Sequence, residues 1–222
     1  MGKSTPDPAA TPEHIARPQV LTPHGQAQRA ALVDAAYNLI AEGGFEHLRT
    51  REVAARAGVN IATLHYYFAT KEDLIRAVVD RMREEFMTIH APWLDEPGLT
   101  PLEELRHELL DMRYHIEHAP QTYTVLFELS LRALRDPAIN AIMREMDRGW
   151  REHIENILVE GVRQGMFRGQ MDTSVVAAAL VAFFKGASLQ MMTKRDTFDV
   201  DQVLKELERG LLVGSPSSQS PD

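Results

Sequence analysis

The stretch TREVAARAGVNIATLHYYFATK, residues 50–71, is the most informative part of the chain. It has the pattern of two short helices joined by a tight turn. Gly58 falls in the turn, where a left-handed backbone is cheap only for glycine. Ala54 is small enough for a second helix to cross the first closely, while Leu64 and Phe68 anchor that helix on a core. The pattern predicts a helix-turn-helix.

The second predicted helix also has an outward face that fits a DNA major groove. Asn60 is placed to cap the helix. Tyrosine hydroxyls, a lysine and the start of the first short helix offer donors to phosphates, and Arg51 is placed to reach a guanine edge or the backbone. The predicted DNA-contacting residues are Thr50, Arg51, Asn60, Ile61, Ala62, Thr63, His65, Tyr66, Tyr67 and Lys71.

The region from about Leu32 to Leu74, with AGVNIATLHYYFATKEDL at its centre, resembles the DNA-binding domain of the TetR family of bacterial transcriptional regulators. The resemblance covers about the first third of the chain. It implies that the threonine, arginine, tyrosines and lysine named above fall at positions that commonly contact DNA. Many members have tyrosine where this chain has His65. The side chains of Ile61 and Ala62 form no hydrogen bonds with bases, which favours readout through thymine methyls, Arg51 and DNA shape.

The net charge of -8 runs against DNA binding, but its distribution does not. Residues 1–80 contain 8 Lys and Arg against 9 Asp and Glu, so most of the acidity lies in residues 81–222. The chain has no cysteine, which excludes disulfides, thiolate nucleophiles and cysteine zinc sites. It has no glycine-rich cofactor loop after a strand and no Ser/His/Asp arrangement. We therefore predict neither an enzyme nor a cofactor.

Apolar residues recur at helical spacing and predict an all-α fold of about nine helices. The first helix is expected from about Gln26 to Glu42 and is ended by two glycines. Five later helix starts carry a capping residue, namely Thr70, Thr100, Asp136, Asp172 and Asp199. The predicted organisation is a flexible arm (1–25), a three-helix DNA-binding domain (26–70), a larger helical effector-binding and dimerisation domain (71–213) and a disordered tail (214–222).

The resemblance also implies that the larger helical domain (residues 71–213, called the body below) dimerises through its last helices. Residues 174–192 are apolar nearly all round, which predicts a buried helix. A four-residue stripe of small side chains on it allows close approach of another helix. The alternative is that this helix is only the core of a monomer. The predicted dimer contacts are Ala178, Ala182, Gly186, Val203, Leu207, Leu211 and Leu212.

Bulky, soft and aromatic side chains lie on the helices of the body, where the resemblance implies an effector site. Such side chains adapt to apolar ligands, although they are also ordinary core residues. We expect a mainly hydrophobic cavity with a few polar groups, among them Gln121 and Gln190. Its predicted lining is Phe86, Trp93, Met112, Tyr123, Phe127, Met143, Met146, Trp150 and Phe183.

Metal binding is the alternative for the body, because His107, Asp111 and His115 lie four residues apart on one helix face, with His118 next to it. The same spacing suits a solvated face, and no metal is predicted. Residues 1–25 have no secretory signal, and the apolar run 175–184 is too short for a membrane span.

The sequence therefore predicts a cytoplasmic, bacterial DNA-binding regulator, most simply a dimeric repressor released from a pseudo-palindromic operator by a small apolar effector. Its expected partners are double-stranded DNA, the effector and a second copy of the chain, with no membrane. Besides the metal-responsive alternative, a helical interaction module without DNA binding remains open.

Overall fold

The computed structural model describes residues 21–88, 98–193 and 199–212. Within these residues the chain forms nine α-helices, one 3₁₀ helix and no strand, which confirms the predicted all-α fold. The helices are α1 Pro23–Gly43, the 3₁₀ helix Phe45–His47, α2 Thr50–Arg56, α3 Ile61–Tyr67, α4 Lys71–Thr88, α5 Pro101–His118, α6 Pro120–Ala133, α7 Pro137–Arg163, α8 Thr173–Thr193 and α9 Val200–Leu211.

The N-terminal unit consists of α1, α2 and α3 and is also called the DNA-binding unit below. It is built on α1, which begins three residues before the predicted start. Thr22 caps it by accepting a hydrogen bond from the Gly25 amide, and Pro23 follows with a backbone already suited to a first helical turn. The helix ends at Gly43, one residue after the predicted end, and is capped by Gly44, whose φ of 79° lies in the left-handed region. One face of α1 is buried against α2 and α3. The buried residues there include Leu32, Ala36 and Ile40.

The predicted helix caps are present. Thr70 and Asp73 bond reciprocally to each other's backbone amides at 3.1 and 3.0 Å. Thr100 and Glu103 form a capping box in the same way. Side-chain oxygens of three aspartates accept amide hydrogen bonds at later helix starts, and these are Asp136, Asp172 and Asp199.

The first helix of the body, α4, also belongs to the packing of the N-terminal unit. It lies against α1 on one side and against α6 and α7 on the other. Val78 and Met82 of α4 are fully buried. One hydrophobic cluster therefore runs from α1 through α4 into the body. The predicted boundary between residues 70 and 71 coincides with the start of α4, and the two units share a core across it.

Helix α8, which is apolar nearly all round, has one buried and one exposed face within the single chain. It packs on α7 and α5 through residues such as Phe184 and Ala187. Its opposite face is exposed, and Val175 and Leu189 have 62% and 47% of their surface accessible. By length and composition alone, α8 also matches a membrane-spanning helix. Its inner face, however, is part of the protein core, which accounts for much of its apolar character.

Candidate nucleic-acid interface

The turn between α2 and α3 has the predicted geometry. Gly58 has φ of 70°, in the left-handed region that favours glycine. The next amide, that of Val59, donates to the Ala54 carbonyl at 3.0 Å and closes the turn. Asn60 caps α3 by accepting the Thr63 amide at 2.8 Å. The two helices are therefore fixed at their junction by backbone bonds and one side-chain cap.

The inner side of α3 is anchored in the core, which leaves its other side in solvent. Leu64 is 1% exposed, and Phe68, directly after the helix, is also buried. Phe68 is covered further by the Arg29 guanidinium of α1, 5.1 Å from its ring centroid. The exposed residues of α3 are Ile61, Ala62, His65 and Tyr66. This face is open over the length that a major groove accommodates.

Two predicted contact residues on this face are held by other parts of the protein. The Tyr67 hydroxyl donates to Gln28 Oε1 on α1 at 3.1 Å, so the ring is half-buried and oriented by α1. Thr63 is half-buried, and its hydroxyl donates to Asn60 Oδ1 at 3.1 Å. Gln28 was missed by the sequence analysis, because it lies 39 residues from Tyr67 and nothing local signals the contact.

Lys71 is likewise more constrained than a solvated lysine. Its Nζ lies 4.6 Å from the centroid of the Phe45 ring. Partial burial, and next the positive charge of Arg132, lower the pKa of Lys71. The lysine thus begins α4 beside the DNA-facing surface, but its ammonium group lies over an aromatic ring of the protein.

At the other end of the motif, α2 begins at Thr50, which is half-buried, and Arg51 is exposed in its first turn. No side chain caps the start of α2. Its last residue, Arg56, forms a two-bond ion pair with Glu42 of α1. This pair, also missed from the sequence, ties the C-terminal end of α2 to α1.

Comparison with known proteins agrees with this geometry. Residues 32–78 match the model of bacterial regulatory proteins of the tetR family. Residues 101–212, half of the chain, match the model of the C-terminal region of BetI-type transcriptional repressors. The chain belongs to the TetR family. It is therefore a DNA-binding transcriptional regulator and not an enzyme.

Individual relatives extend the match over most of this regulator. The nicotine-responsive transcriptional repressor HdnoR of Paenarthrobacter nicotinovorans is 24% identical over 73% of this chain and 82% of its own. The repressor DhaR of a Mycobacterium species is 22% identical over 86% and 94%. A TetR regulator from Haloarcula marismortui superposes with a TM-score of 0.70 at 24% identity, over 85% of this chain and 100% of that one. A regulator from Saccharomonospora viridis, solved with choline, gives 0.69 at 22% identity over 85% and 100%.

In the body of the regulator, the described residues expected around an effector fall into separate groups. Phe86, Tyr123 and Phe127 form a chain of rings, with centroids 5.2 and 6.3 Å apart, and His115 adjoins Phe86. Trp150 instead stacks on Phe184 and donates to Glu108. Met112, Met143 and Met146 are buried in the core, and Phe183 is half-buried. Trp93 lies outside the described residues.

A small cavity lies between α5, α8 and α9. Its volume is about 10 Å³, roughly one water molecule. None of the residues predicted to line the effector site contributes to it. Its lining is Leu102, Leu105, Arg106, Leu180, Phe184, Leu204, Leu207 and Glu208.

The predicted polar groups of the effector site differ in burial. Gln121 and Gln190 are exposed, whereas Tyr123 is buried. Burial, reinforced by the negative charges of Asp111 and Glu108, raises the pKa of Tyr123. Tyr123 is therefore a neutral phenol set among the rings of the aromatic chain.

The spaced histidines of α5 do not form a metal site. His115 is 1% exposed, with Nε2 3.1 Å from the Glu85 carbonyl oxygen and Nδ1 3.3 Å from that of Asp111. His118 stacks on Tyr114. In the described part of the chain no three His, Asp or Glu side chains are placed to share an ion. Along the face predicted for these residues, His107 and Asp111 are half-buried and His115 is buried, with its Nδ1 3.7 Å from Asp111 Oδ2.

The predicted dimer contacts separate into two groups. Ala178, Ala182 and Gly186 lie on the exposed face of α8. Leu207 and Leu211 of α9 face their own chain instead, since Leu207 lines the small cavity and Leu211 is 6% exposed. Val203 and Leu212 are half-buried in the same way. A bidentate ion pair between Arg106 and Glu208 also joins α9 to α5.

Proposed function

We propose that the protein is a dimeric repressor that inserts α3 of each copy into successive major grooves of a pseudo-palindromic operator. The observation that carries this proposal is the exposed side of α3. Its inner residues are locked into the core, so Ile61, His65 and Tyr66 are presented on a rigid support. Twofold pairing would place the two copies of α3 about 34 Å apart, or a multiple of it. Action on DNA implies a cytoplasmic location.

Contacts to the phosphate backbone are assigned to both ends of the motif. Thr50 and Arg51 lie at the start of α2, while Tyr66, Tyr67 and Lys71 follow the outer side of α3. These contacts would fix the register on DNA without reading sequence. Base readout then depends on Arg51, His65 and the apolar pair Ile61 and Ala62 against thymine methyls.

Dimerisation is assigned to the exposed face of α8. The small side chains of Ala178, Ala182 and Gly186 permit close helix approach, and Val175 and Leu189 add apolar surface. A contiguous apolar face of this kind is typical of a protein–protein contact. Closed twofold pairing is the commonest way to cover it.

Release from DNA is assigned to a small, mainly apolar effector bound in the body, near the rings of Phe86, Tyr123 and Phe127. The names of two relatives support a small-molecule response, since one is nicotine-responsive and another was solved with choline. The effector must prefer one conformation of the protein, because a molecule that binds both equally shifts nothing. DNA footprinting upstream of the gene, repeated with a panel that includes nicotine and choline, tests this assignment.

Substitution of Tyr66 and Lys71 tests the DNA-binding assignment. Lys71→Ala should reduce the salt slope of DNA affinity by about one, as expected for one lost phosphate contact. Tyr66→Phe should weaken binding by roughly 0.5–1.5 kcal/mol through its lost hydroxyl. Lys205→Ala, an exposed lysine on α9, removes the same charge and should leave the affinity unchanged. Fluorescence anisotropy at several salt concentrations provides the readout. If neither Tyr66→Phe nor Lys71→Ala alters affinity, α3 does not dock as described.

A further inference from the structure

Helix α6 of the body contacts the DNA-binding unit directly, and not only through α4. Glu128 Oε2 accepts a hydrogen bond from the Phe45 backbone amide at 3.0 Å, across 83 residues of sequence. The approach is close, because a Cβ placed on Gly44 would lie 3.1 Å from the same oxygen. Gly44 also has φ of 79°, so glycine meets both requirements of this contact.

A second contact lies about two turns earlier on α6. The hydroxyl of Tyr37, on α1, lies 3.1 Å from Thr122 Oγ1 and donates to Glu85 Oε2 of α4 at 2.6 Å. Tyr37 and Thr122 are both at least 99% buried. Helix α6 therefore meets the DNA-binding unit at two separate points, one on α1 and one on the turn after it. Two points fix an orientation, which a single contact does not.

A third contact, one turn after Glu128 on α6, involves the same Phe45 ring that supports Lys71, the residue assigned to a DNA phosphate. Arg132 of α6 places its guanidinium 5.0 Å from the centroid of the Phe45 ring, while Lys71 Nζ lies 4.6 Å from it. Arg132 also pairs with Glu46 at 3.7 Å. Glu128 thus holds the backbone of Phe45, and Arg132 lies near the ring of the same residue, which also supports Lys71.

We propose that Glu128 is a positioning residue for DNA binding, which sets the orientation of the helix-turn-helix relative to the body by holding the Phe45 amide. The inference rests on the proposed dimeric function, because orientation matters only when two copies must match two half-sites. Helix α6 also carries Tyr123 and Phe127 of the aromatic chain. A shift of α6 by 1–2 Å, common in regulatory transitions, would break a hydrogen bond of 3.0 Å.

The alternative is that the Glu128 carboxylate only satisfies the first amide of the 3₁₀ helix, which does not explain why the acceptor comes from α6. Phe45 is 6% exposed, and its amide begins a three-residue 3₁₀ helix whose other two residues, Glu46 and His47, are exposed. An acceptor from a neighbouring residue would satisfy this amide equally well. The carboxylate supplied from α6 also adds a connection between the two units.

The test compares two DNA probes. The first is a duplex that the wild-type protein enriches from a random-sequence pool, and the second is the same duplex with one half-site scrambled. We expect Glu128→Ala to weaken binding to the full duplex by about five- to fiftyfold, the range of typical coupling between sites. Binding to the half-site duplex should change by less than about twofold. One unit on one half-site needs no fixed orientation.

Two variants control for charge and for the hydrogen bond. Glu128→Gln keeps an oxygen that accepts the Phe45 amide, so it should restore most of the loss. Glu117→Ala removes the same charge from an exposed position on α5 and should leave both affinities unchanged. If Glu128→Ala does not fold, Glu128→Asp carries the same test, since it keeps the charge but withdraws the acceptor by one methylene.

Three results would overturn the role of Glu128. These are an unchanged full-site affinity in Glu128→Ala, an equal loss on both duplexes, or a loss in Glu128→Gln as large as in the alanine variant. A wild-type protein that binds both duplexes equally would instead overturn the dimeric function, and this inference with it.

Discussion

Helices α3 and α8 both present an exposed face, and polar side chains lie on that face mainly in α3. In α3 the apolar Leu64 is buried while His65 and Tyr66 are exposed. In α8 the buried Phe184 and the exposed Val175 and Leu189 are all apolar. The first helix is amphipathic and its orientation follows from its sequence. The second is apolar all round, so its orientation follows only from the helices it packs against.

This difference separates two kinds of functional surface. A surface that meets DNA carries polar groups in the free protein, because phosphates need hydrogen-bond donors and base edges need both donors and acceptors. A surface that meets another copy is covered in its working state, so it remains apolar. The exposed apolar face of α8 is therefore the surface proposed to meet a second copy, whereas α3 already presents its polar groups to solvent in the free chain.

A charge introduced on the exposed face of α8 should have the largest effect, which is on dimerisation. Ala182→Glu places a carboxylate where two copies of α8 would meet, and an unpaired charge buried there costs about 3–5 kcal/mol. We expect the dimer to dissociate at micromolar protein, with loss of binding to the full operator. Sedimentation velocity over a concentration series measures the change. Ala138→Glu, at an exposed alanine of α7, should leave the dimer intact. A dimer unaffected by Ala182→Glu would place the interface elsewhere.

The inner side of α3 offers a second test through a matched pair of leucines. Leu64→Ala removes a side chain that is 1% exposed, and the free energy of unfolding should fall by about 2–5 kcal/mol. Leu134→Ala makes the same change at a residue that is 79% exposed, where the effect should stay within about 0.5 kcal/mol. Denaturant unfolding followed by circular dichroism compares them. Similar values for both variants would contradict the anchored position of α3.

The contact between α1 of the DNA-binding unit and α4 of the body should give the smallest effect. Tyr37→Phe removes the hydroxyl that donates to Glu85, and the free energy of unfolding at neutral pH should fall by about 1–3 kcal/mol. Tyr66→Phe, on the exposed face of α3, serves as the stability control and should change little.

The same contact predicts a pH dependence. Burial and the hydrogen bond to Glu85 raise the pKa of Tyr37 from 10.0 to about 12. The folded state then keeps a proton that the unfolded state has lost. The stabilisation is therefore full below pH 10 and fades as the pH rises towards 12. Unfolding measured from pH 9 to 12 should show a steeper loss in wild type than in Tyr37→Phe. Equal slopes would contradict the assignment to Tyr37.

The sequence alone predicted the elements whose causes are local. The left-handed turn at Gly58, the Asn60 cap and the capping box at Thr100 each depend on residues within a few positions of one another. The alternation of buried and exposed residues on α3 is local in the same sense. These features determined the helical fold, the helix-turn-helix and the face assigned to DNA.

The tertiary structure decided the contacts made across long sequence separations. Tyr67 and Lys71 were predicted as phosphate contacts, but only the fold shows Gln28 and Phe45 holding them. It also turned Leu207 and Leu211 inward, exposed one face of α8, and brought Glu128 to the Phe45 amide. Local patterns specify which residues can be buried. Which ones are buried depends on the helices that arrive from elsewhere in the chain, and their competition for the same apolar surface is settled only when the whole core is packed.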